Sequence, residues 1–387
     1  GGFIFLRTKS RFKAAVGVLM AYLIIFFMGS FPSWLAFAYY FFEGSKRVGE
    51  IVGVDIVQFF AFPHQIFGAN GYDFKYAFTS NLNLAYFSLV AAFSAAIFFF
   101  SDRKKFLAVA KNLRFPQLIY HAGLFLVGMG LGYWAYPQNL EINLFSILSA
   151  GILLVSIFLA WEASVVFNDL CDVRIDNLTN NGRQLPKNIF GSNEYVDLGI
   201  IFLFFSLLGG LVISVKFSLL LVAYQVLAWA YSVPPYRLKR FPILGTFFSS
   251  LASILVVMIG FSLFSGDGNL ALFPWRIAIL LVVSFTLSLP IKDFKDIEGD
   301  RRDGVWTIPV IFGESHGRTV VASGIFLSFM LSVFILNERD LFWPALLSGT
   351  AAFWAMTNKK IRTRQMNWWV LGILFLYLAI ALKILFF

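Results

Sequence analysis

Long apolar stretches separated by short polar segments occupy most of this 387-residue chain. In windows of about 20 residues, enough helix to cross a hydrocarbon core of roughly 30 Å, the pattern predicts eleven membrane spans. The first contains Gly29 and Pro32 and is too long for one straight helix, so we expect a tilted helix or a kinked pair. The predicted spans are 14–42, 83–100, 115–136, 144–167, 195–215, 218–233, 243–264, 274–290, 319–336, 343–357 and 367–386.

Composition supports a membrane protein. Hydrophobic residues make up 59% of the chain and charged residues 13%, whereas soluble domains have roughly 45–50% and about 25%. These values exclude a soluble enzyme, a disordered chain and a nucleic-acid binder. The one cysteine, Cys171, excludes an internal disulfide framework and a cysteine-based metal cage.

The basic residues indicate an orientation. With the N-terminus inside, the predicted inner segments contain 24 of the 31 Lys and Arg residues, and cytoplasmic loops collect these residues. The first apolar run is too long for a secretory signal and lacks a small-residue cleavage site, so we expect a retained anchor. We therefore expect an integral protein of the cell inner or plasma membrane, with its N-terminus and basic loops in the cytoplasm.

Two acidic clusters at the inner ends of predicted spans are the strongest functional signal. Residues 168–176 and 292–300 both contain D-x-x-D-x-x-x-D. Carboxylates are costly in a membrane, and a solvated helix end is the ordinary interpretation of one such cluster. At about 100° per residue, this spacing predicts three carboxylates on one helical face in each cluster. The first aspartates lie 124 residues apart, which suggests two similar halves of about four spans each.

Three neighbouring carboxylates repel one another unless a cation lies between them. Mg²⁺ takes oxygen ligands and bridges protein carboxylates to substrate phosphates, so two facing clusters predict about two Mg²⁺ ions on a diphosphate. The candidate metal ligands are Asp169, Asp172, Asp176, Asp293, Asp296 and Asp300. Basic residues expected on the same membrane face are candidates to contact the phosphate oxygens: Arg174, Arg183, Lys187, Arg237, Lys239, Lys292 and Arg301.

At these motifs the chain resembles the UbiA superfamily of intramembrane prenyltransferases. Asn168 with the first three aspartates matches N-D-x-x-D-x-x-x-D, and residues 292–313 resemble the family's K-D-x-x-D-x-E-G-D run with its T-[LI]-P-V continuation. Residues 114–117 resemble the opening of the family's first helix. Residues 183–186 resemble its arginine and proline segment after the first motif. Residues 231–239 resemble the Y-S-x-P-P-x-x-L-K form of chlorophyll- and tocopherol-type members. The usual Y-x-x-x-K spacing falls on Pro235, so Tyr231 and Tyr236 are both candidates for the tyrosine.

The resemblance covers about 110–387 and implies an all-α polytopic membrane helical bundle. Its nine-helix prenyltransferase core would form two pseudo-repeated halves, with two or three extra N-terminal helices. We accordingly expect an N-terminal membrane extension at 1–107, with an outer loop at 43–82, and a UbiA-like domain at 108–387.

The resemblance also implies Mg²⁺-dependent transfer of a polyprenyl group from an allylic diphosphate to a hydrophobic acceptor, an aromatic or lipid-quinone precursor. The implied catalytic residues are Asn168, Asp169, Asp172, Asp296 and Lys239, and the implied diphosphate-binding residues are Arg174, Arg183, Tyr231, Lys239, Lys292 and Arg301. Three alternatives stay open: glycerol-lipid ether synthesis, a non-catalytic binding or assembly subunit, and a transporter. A protein partner for residues 1–107 also stays open.

Glu162, inside a span, is a functional suspect, although a packed or protonated glutamate is the ordinary interpretation. The histidines, His64, His121 and His316, show no metal-ligand spacing and receive no role.

Overall fold

The protein is all-helical in the part of the chain that its computed structural model describes. That part comprises residues 6–61, 74–140, 142–179, 189–265, 270–295, 297–302 and 304–386. Across these ranges the chain forms α-helices and short 3₁₀-helices and no strand. The predicted all-α class is therefore confirmed. Ten of the described helices are long and apolar enough to cross a membrane.

The chain divides into two compact units, and the first comprises Gly1–His64 and Gly71–Val90. Its described helices are α1 (Arg11–Glu43), α2 (Gly53–Phe60) and the first part of α3 (Phe74–Ser101). The predicted first span is thus one helix, with Pro32 inside it. The predicted outer loop at 43–82 contains the short helix α2, and α3 begins at Phe74, before the predicted start of the span at residue 83.

Polar contacts hold the turn between α1 and α2. Asp55 accepts a hydrogen bond from Lys46 Nζ at 2.5 Å and another from the Val52 backbone N–H at 2.9 Å. The Tyr40 hydroxyl donates to the backbone carbonyl of Asp55 at 3.2 Å. The bond from Lys46, and after it the bond from Val52, holds the pKa of the Asp55 carboxyl below its usual value.

The second unit includes Ala91–Phe387. Nine long helices in its described part match the expected nine-helix core, together with two shorter ones, α4 and α11. The helices are α4 (Arg103–Asn112), α5 (Phe115–Ala135), α6 (Leu144–Thr179), α7 (Ser192–Ile213), α8 (Val215–Ser232), α9 (Leu244–Ser262), α10 (Trp275–Ser288), α11 (Ile297–Arg302), α12 (Ile308–Leu336), α13 (Phe342–Thr357) and α14 (Thr363–Phe386). The stretch predicted at 343–357 is the helix α13, whose 16 residues extend about 24 Å.

Glycines bring α5 and α9 into direct backbone contact. A Cβ built on Gly128 would lie 2.1 Å from the Val257 carbonyl oxygen, and one on Gly260 would lie 2.2 Å from the Phe125 carbonyl oxygen. Small residues at a helix crossing allow such an approach, which is a common way for membrane helices to pack. Other residues of the same two helices, among them Tyr120 and Ser253, line the cavity described below.

The last three helices share an apolar core. Phe329 of α12, Ala345 and Met356 of α13 and Tyr377 of α14 are all buried in it. The hydroxyl of Ser332 and that of Tyr377 are hydrogen-bonded within the same core. This core supports the helix α12, which follows directly after the second acidic cluster.

Candidate active site

A cavity of about 1300 Å³ opens among α5, α6, α8, α9 and the segments that follow α10. Residues from both acidic clusters and from the connection between α8 and α9 line it. Eight of the residues predicted from the sequence are among its lining: Asn168, Asp172, Tyr231, Lys239, Lys292, Asp293, Asp300 and Arg301. The fold therefore brings together groups that lie up to 133 residues apart in the chain.

The first acidic cluster lies on α6, which continues as one helix through the acidic residues to Thr179, as its spacing predicts. Lys239 Nζ donates to Asn168 Oδ1 at 2.9 Å and is also hydrogen-bonded to Asp172 Oδ2. Arg237 Nη2 donates to the other Asp172 oxygen, Oδ1, at 2.6 Å. Two cations thus meet one buried carboxylate at the cavity wall, in charge-assisted hydrogen bonds.

Asp169 has a different environment from Asp172. It is 2% exposed and is not among the residues that line the cavity. Its Oδ1 lies 3.5 Å from Arg114 Nη2, and the Tyr195 hydroxyl donates to its Oδ2 at 3.4 Å. Arg114 itself lines the cavity, so Asp169 contacts the cavity wall through this arginine.

Five other predicted residues fall outside what the structure describes. Arg183, Lys187 and Asp296 lie outside the described ranges, and Arg174 and Asp176 belong to α6 with only their backbone described. Their proposed roles stay predictions.

The second acidic cluster does not form one helical face, so that prediction is wrong. A 3₁₀-helix occupies Leu289–Lys295, and the separate α11 follows. Pro290 offers no backbone N–H to continue the α-helical bonding of α10, and the tighter 3₁₀ turn of three residues changes the angular spacing. Asp293 and Asp300 both reach the cavity nevertheless, from different segments. The Thr307 hydroxyl donates to Asp300 Oδ2 at 3.4 Å.

The connection between α8 and α9 has an unusual backbone. Arg237 has a φ of 42°, in the left-handed region, and precedes the 3₁₀ turn Leu238–Arg240. Ile243 has a φ of 63° and a ψ of −50°, and the Leu244 N–H donates to the Pro242 carbonyl at 2.6 Å. These values describe a γ-turn of the rare, strained kind.

Two contacts tie the second cluster and the segment after it to α8 and to the connection that follows α8. The Trp306 N–H donates to the Arg240 carbonyl at 3.0 Å. Lys292 Nζ lies 5.6 Å from the centroid of the Tyr231 ring, within the range of a cation–π contact. Tyr231 lines the cavity, whereas Tyr236 is 69% exposed and is not among the lining residues. Of the two candidate tyrosines, Tyr231 is therefore the one at the site.

Aromatic side chains line the part of the cavity formed by α5, α6 and α8. The rings of His121 and Trp161 have centroids 4.9 Å apart, and Tyr120 and Tyr224 flank His121 at 5.5 and 6.1 Å. The Tyr120 hydroxyl is hydrogen-bonded to Ser253 at 2.8 Å, across the α5–α9 contact. One cavity thus combines a region of acids and cations with an aromatic wall.

The described donors fit a hard divalent cation. Among the described residues, no three His, Cys, Asp or Glu side chains group closely enough to hold a metal ion by themselves. Mg²⁺ needs no such cage, because it keeps several waters and takes one or two carboxylates together with substrate phosphates. Asp172, Asp293 and Asp300 all line one cavity, and carboxylate oxygens are ligands that Mg²⁺ prefers.

A model of the UbiA prenyltransferase family matches residues 123–379, about two thirds of the chain. The chain belongs to the UbiA prenyltransferase family. This result confirms the resemblance seen in the two motifs and, with the ten candidate spans, makes the chain an integral membrane protein. A solved apo structure of a UbiA homologue from Aeropyrum pernix K1 aligns with a TM-score of 0.50 and 18% identity, over 70% of this chain and 99% of that one. The chain therefore has the UbiA fold.

Two curated relatives illustrate the range of the UbiA family. The chain is 34% identical over 154 residues to 2-acyl-4-prenylphloroglucinol 6-prenyltransferase from Humulus lupulus, a match that covers 36% of this chain and 35% of the relative. It is 26% identical over 157 residues to digeranylgeranylglyceryl phosphate synthase from Methanosphaera stadtmanae, covering 41% of this chain and 55% of the relative. The matches thus span about a third and about half of the length of these two relatives.

The candidate site contains residues that received little or no prominence from the sequence. Arg237 was only one of several basic candidates, and Arg114 appeared only as part of a motif, although both pair with motif aspartates. His121 and Tyr224 received no role. The signal available for His121 was a polar residue inside an apolar span, one turn after Gln117 of the 114–117 motif.

Proposed function

We propose that this chain is a Mg²⁺-dependent intramembrane prenyltransferase, which transfers a polyprenyl group from an allylic diphosphate to an aromatic or lipid-quinone precursor. One observation carries the proposal: acids of both motifs, the cations near them and an aromatic wall line the same cavity. A diphosphate needs positive partners, and an allylic cation needs a dry pocket with aromatic faces. Cations and aromatic side chains both line the cavity.

The residues that would hold Mg²⁺ are Asp172, Asp293 and Asp300 together with Asp169, Asp176 and Asp296 of the same motifs. When bound, the metal would supply electrophilic stabilisation of the leaving diphosphate. Asn168 contributes a further oxygen beside the first cluster.

The cations near Asp172 are fixed before any substrate arrives. Lys239 is held by Asn168 and Asp172, and Arg237 by Asp172. Fixed donors stabilise charge as it develops on a leaving group, because they need no reorganisation during the reaction. Lys292, Arg301 and, on the segments outside the described side chains, Arg174 and Arg183 would share the remaining phosphate oxygens.

The aromatic wall favours a ring-bearing acceptor. Tyr120, His121, Trp161 and Tyr224 present flat faces and neutral polar groups to the cavity, and such faces stack on planar rings. The Humulus lupulus relative, whose name describes prenylation of a phloroglucinol, supports the same acceptor class.

Glycerol-lipid ether synthesis is the second candidate function. The observation in its favour is the match to the Methanosphaera stadtmanae relative, which is named as a digeranylgeranylglyceryl phosphate synthase and is covered over 55% of its length. A glycerol phosphate acceptor would bring a second anion, and the basic residues near the second cluster would then serve two phosphates.

The proposal includes a location and an orientation. We expect the inner or plasma membrane, with the N-terminus and the loops of the active site in the cytoplasm, because the segments predicted on that side contain 24 of the 31 Lys and Arg residues. Residues 1–107 are proposed as an extension that offers room for a protein partner.

The experiment is a direct assay of the purified chain in detergent. Geranylgeranyl diphosphate is incubated with phenolic, quinol-precursor and glycerol-phosphate acceptors, with Mg²⁺ or with EDTA, and products are identified by mass spectrometry. We expect a prenylated product that disappears with EDTA, returns with Mg²⁺ and is lost in Asp172→Asn. Asp340→Asn, a change of an exposed aspartate remote in sequence from both motifs, is the matched control and should keep the product. Folded wild-type protein that yields neither product nor free diphosphate would contradict the proposal.

A further inference from the structure

His121 is a buried histidine at the cavity that the proposed chemistry has not yet used. Its Nδ1 lies 2.7 Å from the Gln117 backbone carbonyl oxygen. A carbonyl oxygen can only accept, so Nδ1 is the protonated nitrogen and donates to it. Its Nε2 lies 3.1 Å from the Tyr224 hydroxyl oxygen. In the neutral ring, Nε2 then accepts the hydrogen of the Tyr224 hydroxyl.

The surroundings favour this neutral arrangement. His121 and Tyr224 each keep about 4% of their surface exposed, and burying an uncompensated charge is costly. The titratable groups that face the His121 ring are Tyr120 on its own helix and Tyr224 on α8, while α6 contributes the Trp161 ring. Among the described residues, the hydrogen bonds and ring contacts of His121 are all with uncharged groups.

Prenyl transfer to an aromatic or hydroxyl acceptor releases a proton. The carbon–oxygen bond of the allylic diphosphate breaks, and its electron pair leaves with the diphosphate. The new bond forms between the prenyl carbon and a ring carbon or hydroxyl oxygen of the acceptor, which must then lose its hydrogen as H⁺. The described aspartates of the first cluster already have partners, since Asp172 meets Lys239 and Arg237, and Asp169 meets Arg114.

We infer that the acceptor binds beside Tyr224 and that the Tyr224–His121 pair takes the proton the acceptor loses. The inference rests on the proposed function. The proton passes to the Tyr224 oxygen while the hydrogen of that hydroxyl passes to His121 Nε2, and the ring becomes an imidazolium whose Nδ1–H stays bonded to the Gln117 carbonyl. Tyr224 is the catalytic residue, and His121 positions it and receives its proton. The acceptor class that suits this pair is a phenol or hydroquinone, whose hydroxyl or activated ring carbon releases H⁺.

The test compares three variants of the full chain: His121→Gln, Tyr224→Phe and the matched control Tyr120→Phe. Tyr120 also lines the cavity, but its hydroxyl is bonded to Ser253. Each protein is incubated with Mg²⁺, geranylgeranyl diphosphate and a phenolic acceptor that the wild type prenylates. Prenylated product and free diphosphate are quantified separately.

We expect product formation to fall about 100-fold or more in His121→Gln and Tyr224→Phe, in the range of general acid–base effects. Diphosphate release should fall much less, because breaking the carbon–oxygen bond needs no base and water can capture the allylic cation, giving the prenyl alcohol and H⁺. The ratio of diphosphate to product should therefore rise well above the wild-type value. In Tyr120→Phe any change in rate should affect both readouts equally, so that this ratio stays at the wild-type value.

Two results would overturn the inference. One is product formation within threefold of wild type in both His121→Gln and Tyr224→Phe. The other is an equal fall of product and of free diphosphate, which would indicate a structural role. If His121→Gln does not fold, Tyr224→Phe, which removes a single oxygen atom, carries the test alone. A wild type that releases no diphosphate and makes no product with any acceptor would instead mean that the proposed function has failed.

Discussion

The backbone contact between α5 and α9 allows a prediction with a built-in control. In Gly128→Ala the new Cβ would lie 2.1 Å from the Val257 carbonyl oxygen and 2.9 Å from its carbon, where real Cβ atoms essentially never come closer than 3.0 Å. The two helices would have to separate by about 1 Å at a close-packed crossing. Overpacking of this kind costs about 1–3 kcal/mol, which offsets or exceeds the roughly 1 kcal/mol that alanine gains over glycine in a helix.

Gly130 on the same helix is the control, because a Cβ built there has nothing within 4 Å. Gly130→Ala should therefore keep or slightly raise stability, while Gly128→Ala lowers it. The measurement is the thermal unfolding temperature of both variants in one detergent, monitored by loss of helical circular dichroism. The same separation would stretch the 2.8 Å bond between Tyr120 and Ser253, so substrate binding should weaken as well. Equal unfolding temperatures for the two variants would refute this account of the crossing.

Two further predictions concern charged groups. Lys239→Ala should raise the apparent KM for the prenyl diphosphate more than the apparent KM for the acceptor. Arg240→Ala, a change of the next residue, which is exposed, should alter neither KM. A change confined to the KM for the acceptor would contradict the role given to Lys239. Lys46 holds the pKa of the Asp55 carboxyl below its usual value. The ionised carboxylate therefore stabilises the fold above about pH 4, the pKa of an aspartate in the unfolded chain. This stabilisation is lost as the pH falls through the lower pKa of the folded protein. Unfolding temperatures measured from pH 6 to pH 2 should therefore fall less in Lys46→Met than in the wild type, and parallel curves would contradict this.

Hydropathy predicts the helices well where apolar runs end in loops, and less well where helices extend into polar sequence. The span predicted at 319–336 is the end of α12, which begins at Ile308. Its early turns contain Glu314 and Arg318, whose charges lower the local hydropathy although Arg318 finds partners in Glu314 and Thr363. Gly313, with a φ of 73°, kinks the helix just before Glu314. Thr363 lies 45 residues further along the chain, so a local hydropathy window contains no sign of this contact.

The candidate site, like the helices, can be predicted from the sequence only in part. The two motifs predict that the acidic clusters meet, and Asp172, Asp293 and Asp300 do line one cavity. The spacing does not indicate that Asp172, rather than Asp169, meets Lys239 and Arg237, since both aspartates fit the same pattern. The pairing of His121 with Tyr224 joins residues 103 positions apart. Periodicity predicts the face on which each lies, but the partner depends on how three helices pack.

The strained connection between α8 and α9 has a consequence for how the protein can change over evolution. Ile243 occupies a γ-turn that a branched side chain disfavours, and Arg237 occupies the left-handed region. The folding free energy of the surrounding helices maintains this backbone, so Arg237 and Lys239 are held in place before an anion binds. Substitutions that relax the turn, such as Ile243→Gly, would stabilise the chain while loosening the placement of Lys239. Selection for thermal stability and selection for turnover would therefore act in opposite directions at this one position.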